Sequence, residues 1–488
     1  VVHAAHPPPQ DRPPQHVRRL GRHDTRPHRT RRHAPGPRSR RVRAALLASA
    51  VSVCLVAASA PSPATPLGIG DRLFPHLGNP GYDVTSYDLS FNYTGKNTEP
   101  LAAVTTIEAV TSRRLERVNL DYAHGTVGSV EVNGSPAAFT NAGEDLVVTP
   151  ARPVPAGGWM RITVRHHSDP AVRGNQDGGW VRTKDGLAMA NQADAGHLVF
   201  PCNDHPSDKA MFTIHVTAPE GYTAVANGLP TGVVRAPGAT TWTYRTQHPM
   251  ATELTQVSIG RSTVLHRTGP HGLPVRDVVP TKDRERLEPW LRKTPDQIAW
   301  MERKVGRYPF ETYGLLMAQA QTGFELETQT LSLFERELFT QPAYPKWYVE
   351  SIMVHELSHQ WFGDSVTPRD WSDLWLNEGH ATWYEALYAQ EKGKKPMETR
   401  MKAAYRASDT WRAMARPRHR RGPGRARRSA SSGRTSTTAP RSPSTRCARR
   451  SDSPPSNAWS GPGSPSTGTA RPRPRTSSGS PPASATAT

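Results

Sequence analysis

The chemistry in this sequence is concentrated in one pentapeptide, His355-Glu356-Leu357-Ser358-His359. Four residues advance an α-helix by about 400°, so histidines at that spacing share one face, about one turn apart. Both imidazoles can then reach a single zinc ion at about 2.0–2.1 Å. Glu356 follows the first histidine directly, which sets it beside such a metal rather than on it. From there it can take a proton from a water that the metal acidifies. A third ligand is needed, and Glu378 comes after eighteen intervening residues, on the next predicted helix. Chance would produce the pentapeptide and a glutamate at that one position roughly 0.002 times in a chain of this composition. His355, His359 and Glu378 are therefore the expected ligands of one zinc ion per chain, and Glu356 the expected general base. Two neutral imidazoles and one carboxylate leave a fourth position open, the arrangement that hydrolyses a polarised carbonyl without a covalent intermediate.

The pentapeptide needs helices to present it, and the surrounding pattern supplies them. Thr294-Pro295-Asp296-Gln297 reads as an N-cap, a proline at the first helical position and a capping-box glutamine, with Gly306 ending that helix. A second helix is expected from about Tyr348 to Phe362, stopped at Gly363, and a third from about Asp373 to Lys392, before Gly393. Upstream the pattern is that of strands. Tyr87–Tyr93, Arg161–Arg165, Ala210–Val216 and Thr241–Tyr244 are rich in β-branched and aromatic residues, and pairs such as Asn133-Gly134 and Asn227-Gly228 separate them. The expected fold class is α+β: an all-β sandwich or curled-sheet domain at 78–270, then a mainly helical catalytic domain at 271–414.

Composition confines folding to that middle stretch. The formal charge of +20 is a sum of unlike parts: residues 1–43 carry a net +10, residues 415–488 a net +14, and the 371 residues between them about −4. Both flanks are rich in Arg, Pro, Ser and Ala without Lys or Glu, and no Leu, Ile, Val, Phe, Tyr or Met follows Met414. Such segments bury too little apolar surface to offset chain entropy. Residues 1–43 are expected to be a disordered extension. Residues 415–488 are expected to be a disordered tail with the composition of GC-rich DNA read in the wrong frame. Arg40, Arg41 and Arg43 precede the uncharged run 44–60, which ends in Ala58-Ser59-Ala60. That is the layout of a secretory signal peptide, short for a membrane span. Export is the expectation, or anchoring if the segment stays uncleaved. Cys54 lies in the run 44–60 and Cys447 in the tail, which leaves Cys202 alone in the core, so no disulfide is expected there.

The run His355–Glu385 resembles the zinc segment of the aminopeptidase N family of metallopeptidases, the gluzincins with a downstream glutamate. The likeness includes Trp361-Phe362-Gly363-Asp364 and Trp375-Leu376-Asn377-Glu378-Gly379. It extends upstream through Tyr308-Pro309-Phe310 and Phe200-Pro201-Cys202-Asn203-Asp204-His205-Pro206 to Gly81-Tyr82-Asp83-Val84, and fades after Trp411. The resemblance implies a β domain packed on a thermolysin-like catalytic domain, and removal of N-terminal residues from peptides with a free α-amine. It further implies a carboxylate and an amide that bind this amine. The family's Gly-x-Met-Glu-Asn stretch corresponds to Gly323-Phe324-Glu325-Leu326-Glu327-Thr328, in which Thr replaces Asn and the glycine sits one residue further back. Aligned on Leu331 and Phe334, Glu327 takes the place of the family glutamate, with Glu325 as the fallback. Gln192, nine residues before Pro201, resembles the second amine-recognition residue. Glu385 resembles a carboxylate that orients a zinc-bound histidine. The family also uses a tyrosine hydroxyl to stabilise the oxyanion, at a place corresponding to position 443, and no Tyr follows Tyr405 here. Impaired hydrolysis is expected on that ground, and a catalytic domain incomplete at its C-terminal end is expected because the tail lacks the helices that would close its far side.

Three other readings compete. An endopeptidase would share the mechanism without needing the amine-binding residues. A zinc-bearing pseudoenzyme would hold metal without turnover. A basic-tailed binding protein would use the arginine-rich flanks, although no specific nucleic acid and no stable membrane span are expected.

Overall fold

The computed structural model describes residues 67–171, 178–320 and 322–414. The basic extension at 1–43, the apolar run at 44–60 and the tail at 415–488 lie outside the described residues.

The first half is a system of sheets. The largest has eight strands in the order Leu229–Ala236, Ala239–Arg245, Met211–Pro219, Tyr82–Asn92, Leu101–Thr111, Trp159–Ser168, Gly125–Val132 and Ser135–Pro136. Its pairs are antiparallel except Tyr82–Asn92 with Met211–Pro219, which run parallel. Burial alternates along Leu101–Thr111 and Trp159–Ser168, as expected for strands with one face on a core. Asn133 and Gly134 both take positive φ, the two-residue turn that joins Gly125–Val132 to Ser135–Pro136. A four-stranded sheet (Thr223–Ala226, Val257–Gly260, Leu187–Ala190, Gly179–Arg182) and a three-stranded one (Val118–Asp121, Asp145–Thr149, Ala138–Ala142) complete this half. The Phe200–Pro206 stretch is part of its core. The Tyr87 ring stacks on Phe212 at 4.8 Å and meets Phe200 edge-on at 6.0 Å, and the Tyr87 hydroxyl accepts from the Asn203 N–H at 3.0 Å. Cys202 is buried with a free thiol.

The second half is less helical than its sequence pattern implies, because it is built on a mixed four-stranded sheet in the order Ser262–Thr268, Pro274–Pro280, Leu315–Ala318, Ser332–Glu335. Ser262–Thr268 pairs antiparallel with Pro274–Pro280 across residues 270 and 271. The expected boundary at that point therefore falls inside a hairpin, and the halves join through it. Among the described residues six α-helices follow or intervene: α1 Arg284–Leu291, α2 Thr294–Val305, α3 Arg336–Thr340, α4 Lys346–His359, α5 Trp375–Glu391 and α6 Met397–Met414. None among the described residues is long and apolar enough to cross a membrane.

The three helices expected from sequence correspond to α2, α4 and α5, and Gly306 ends α2 with φ 96°. The capping box does not form. Lys293 is already helical, so α2 continues from the turn after α1 and its start is no free N-terminus. Gln297 donates through Nε2 to the Glu350 carbonyl on α4 at 3.0 Å, and the Thr294 hydroxyl is buried without a partner.

Candidate metal centre

Helix α4 is buried from Ser351 to His359, so its polar residues there face other protein groups and not bulk water. The His355 and His359 rings lie on one face with centroids 4.9 Å apart. Chain reversal between α4 and α5 brings Glu378 into the first turn of α5 opposite them. Gly363 makes that reversal possible. It has φ 135°, and a β-carbon there would stand 3.0 Å from the Asn377 amide nitrogen. Glu378 Oε2 is 3.5 Å from His355 Nε2 and 4.0 Å from His359 Nε2.

The other ring nitrogens are oriented from behind. His355 Nδ1 faces Glu385 Oε2 at 3.3 Å, and His359 Nδ1 donates to the Phe362 carbonyl at 3.2 Å. Both rings thus turn Nε2 toward Glu378. One donor atom from each of His355, His359 and Glu378 lies within 4.8 Å of the others. His359 Nε2 and Glu378 Oε1 are buried without a hydrogen-bond partner. Orphaned donors converging from two helices fit a cation, and two imidazoles with a carboxylate are the set that zinc takes. A second convergent set, Glu327, Glu356 and His359, offers two carboxylates and one imidazole. Glu327 is already engaged there, as described below, so the first set is the better metal site.

Glu356 is fully buried, and neither of its carboxylate oxygens has a hydrogen-bond partner. Burial pushes this carboxyl well above the usual range; His355 opposes that shift, while Glu327, Glu325 and Glu378 add to it. Burial acts in the same direction on Glu378, but His355 and His359 outweigh it and hold its carboxyl below the ordinary value. Burial alone would lower His355, yet contacts with Glu378 and Glu385 raise it well above an ordinary imidazole. The carboxylates around His355 thus favour positive charge on that ring.

The segment carrying the expected amine ligands runs beside α4. Leu326 pairs with Leu333 in an antiparallel bridge and points into the core, so Glu325 and Glu327 share the opposite face. Gln192, just beyond the strand Leu187–Ala190, donates through Nε2 to Glu327 Oε1 at 2.6 Å. The same oxygen lies 3.9 Å from His359 Nδ1. Glu325 is 1% exposed and is pushed up to about 8, by burial first and then by Glu335, with His355 opposing. The structure thus gathers all eight site residues inferred from sequence around one centre. Arg400 on α6 was not foreseen. It donates through Nη1 to Glu385 Oε1 at 2.8 Å, and no local pattern marks it. Gln360 was also missed, although it directly follows His359.

A helix-borne His-Glu-x-x-His site completed by a glutamate on the next helix, behind a β-sheet half, defines the zinc metallopeptidase class. Residues 291–422 match the peptidase family M1 domain and residues 188–254 the peptidase M1 N-terminal domain. These two stretches are thus similar to the two domains of peptidase family M1. The chain is 31% identical over 236 residues to aminopeptidase N of Oryctolagus cuniculus and 30% identical over 200 residues to glutamyl aminopeptidase of Mus musculus. These alignments take in 43% and 38% of this chain, but only 23% and 21% of the relatives' own lengths. The crystal structure of the M1 zinc metallopeptidase from Deinococcus radiodurans superposes with a TM-score of 0.58 at 28% identity, over 71% of this chain and 77% of that one. A mutant of that protein bound to a Tyr-Ser-Ala substrate gives a TM-score of 0.60 at 28% identity, covering 70% and 78% of the two chains.

Proposed function

We propose that this chain is an aminopeptidase, hydrolysing the first peptide bond of substrates that carry a free α-amine, with one zinc ion held by His355, His359 and Glu378. The observation that carries this reading is the Gln192–Glu327 pair beside His359. Their mutual hydrogen bond leaves Gln192 Oε1 and Glu327 Oε2 buried without a partner. Two unmet buried acceptors suit an ammonium group, which only donates. Glu327 rather than Glu325 takes the amine, because Glu327 is the carboxylate that Gln192 engages. An amine held there limits how far the substrate backbone can advance past the metal. An endopeptidase would have no use for such a stop.

When bound, zinc polarises the scissile carbonyl and lowers the pKa of a water to about 7. Glu356 supplies the proton transfer. It takes a proton from the attacking water as the C–O bond forms, and delivers it to the leaving nitrogen as the C–N bond breaks. Glu385 and the Phe362 carbonyl keep the two imidazoles turned toward the ligand position.

No Tyr follows Tyr405, so the oxyanion donor expected near position 443 is not provided there. Loss of such a donor costs about 100- to 1000-fold in rate. Slow turnover is therefore part of this reading, and a zinc-bearing pseudoenzyme is its limiting case. Steady-state hydrolysis of an aminoacyl fluorophore and of its N-acetylated form by the zinc-loaded chain tests the proposal. Turnover of the free amine alone, abolished by a chelator and restored by zinc, supports it. Equal turnover of both substrates indicates an endopeptidase-like site, and full zinc occupancy without turnover indicates the pseudoenzyme. Export is proposed from the run 44–60, and a secreted product beginning after Ala60 would support it.

A further inference from the structure

Gln360 caps α4 immediately after His359 and is fully buried. A primary amide offers two N–H donors and one carbonyl oxygen with two lone pairs. All four are used. Nε2 donates to the Glu327 carbonyl at 3.0 Å and to Asp364 Oδ2 at 2.8 Å, while Oε1 accepts from the Thr330 N–H at 2.9 Å and the Tyr308 hydroxyl at 3.0 Å. Two of these partners are backbone groups of the turn that carries Glu327. One side chain therefore fastens the amine-binding segment to the helix that carries the metal-binding histidines.

The far side of that turn is fastened to the β half. Asn227 Nδ2 donates to the Gln329 carbonyl at 2.6 Å, and the Gly228 N–H donates to Thr330 Oγ1 at 2.9 Å. Asn227 Oδ1 accepts from the Gln256 N–H at 2.5 Å. The Gln256 side chain in turn bonds both backbone groups of Met189, on the strand that leads into Gln192. Three buried amides, Gln256, Asn227 and Gln360, thus form a continuous path from Gln192 through the Glu327 turn to His359. The hydrogen bonds of this path join buried groups, and the loss of one leaves its partners unsatisfied.

We propose that Gln360 is the positioning residue that sets the separation between the metal site and the Gln192–Glu327 pair, and thereby confines cleavage to the first peptide bond. It touches no substrate atom itself. The inference rests on the amine-binding role proposed above for that pair, and its test keeps the two apart.

The test uses the zinc-loaded full chain and measures binding of leucine hydroxamate and of N-acetyl-leucine hydroxamate. The hydroxamate grips the metal in both probes, and only the first has an amine, so the affinity ratio reads the coupling between the two sites without requiring turnover. Gln360→Met removes the amide at similar length, while Gln360→Glu keeps the acceptor and loses both donors. In each, zinc content should stay at wild-type level and the N-acetyl probe should bind within about twofold, while leucine hydroxamate should weaken by about tenfold or more. Asn227→Asp lies on the other side of the turn and leaves α4 untouched; it should lower the same ratio even if the Gln360 variants fold poorly. A wild-type ratio in Asn227→Asp, or in a zinc-bound Gln360 variant, overturns the proposal, as does equal weakening of both probes. A wild-type chain that binds both probes alike overturns the amine-binding reading, and this inference with it.

Discussion

Gln192 and Glu327 stand 135 residues apart in sequence and meet through a 2.6 Å hydrogen bond. The first is delivered by the end of a strand in the β half, the second by a turn against α4. Neither half of the fold makes the proposed amine site alone. Their two remaining acceptors are buried without partners, and an unmet buried acceptor costs about 1–3 kcal/mol. A site that carries this cost in the free protein recovers it when an ammonium group arrives.

Glu327→Ala should therefore act on recognition. The expected result is a fall of about 10- to 100-fold in kcat/KM for peptides with a free amine, carried mainly by KM, with little change for N-acetylated analogues. Zinc content should be unaffected. If the variant still prefers free amines as strongly as the wild type, Glu327 does not bind the amine.

Glu356→Gln separates proton transfer from metal binding. The amide occupies the same space and cannot accept the proton, so hydrolysis should drop by about 100- to 10,000-fold while zinc content stays at the wild-type level. A variant that retains full turnover would remove Glu356 from the mechanism.

The parts of this arrangement that were legible in sequence are those set by local pattern. Two histidines four apart need only a helix, and the apolar run around them ending at Gly363 gave one. The stops at Gly306 and Gly393 are local too. The strands Leu315–Ala318 and Ser332–Glu335 were not legible, because a four-residue run around two or more adjacent apolar residues looks the same in a buried strand and in a buried helix. The capping box at Thr294 failed because Lys293 before it is already helical, a condition set by the packing of α1 and not by the box itself. Arg400 and Gln360 escaped notice for a related reason. A hydrogen-bonding role is fixed by partners distant in sequence, and nothing in a residue's own neighbourhood records them.

Glu325 makes a prediction about pH. Its carboxyl titrates near 4.5 in an exposed setting and is raised to about 8 in the folded chain, by burial first and then by Glu335. A folded-state value above the unfolded one means that the native state binds the proton more tightly. The stabilising contribution is then complete below the unfolded value and is lost as pH rises from about 4.5 toward 8. Denaturant titrations of the zinc-free chain at pH 5 and pH 8 should show the wild type losing more stability than Glu325→Gln, by on the order of a few kcal/mol. Parallel loss in the two proteins would mean that Glu325 is not held neutral.

Gly363→Ala tests the close approach of α4 and α5. The residue has φ 135°, which side-chain-bearing residues rarely adopt, and the added carbon would meet the Asn377 amide at 3.0 Å. The strain should cost about 1–3 kcal/mol and appear as a lower melting temperature. It should also weaken zinc, because the same turn sets Glu378 opposite the two histidines. A variant that melts and binds zinc as the wild type does would show that the turn relaxes freely.

Glu385 links the metal site to the last helix. One oxygen faces His355 Nδ1 at 3.3 Å and the other accepts from Arg400 at 2.8 Å, so α6 acts on the imidazole through a single carboxylate. Such outer partners fix the ring's orientation and raise its basicity, and removing one typically costs about 10- to 100-fold in metal affinity. Glu385→Gln should therefore weaken zinc by that factor in a competitive chelator titration, while hydrolysis recovers toward the wild-type rate as zinc is raised to saturation. Arg400→Met should move affinity in the same direction by a smaller amount, since it frees Glu385 to rotate without removing it. Unchanged zinc affinity in Glu385→Gln would show that His355 is oriented by its helix alone.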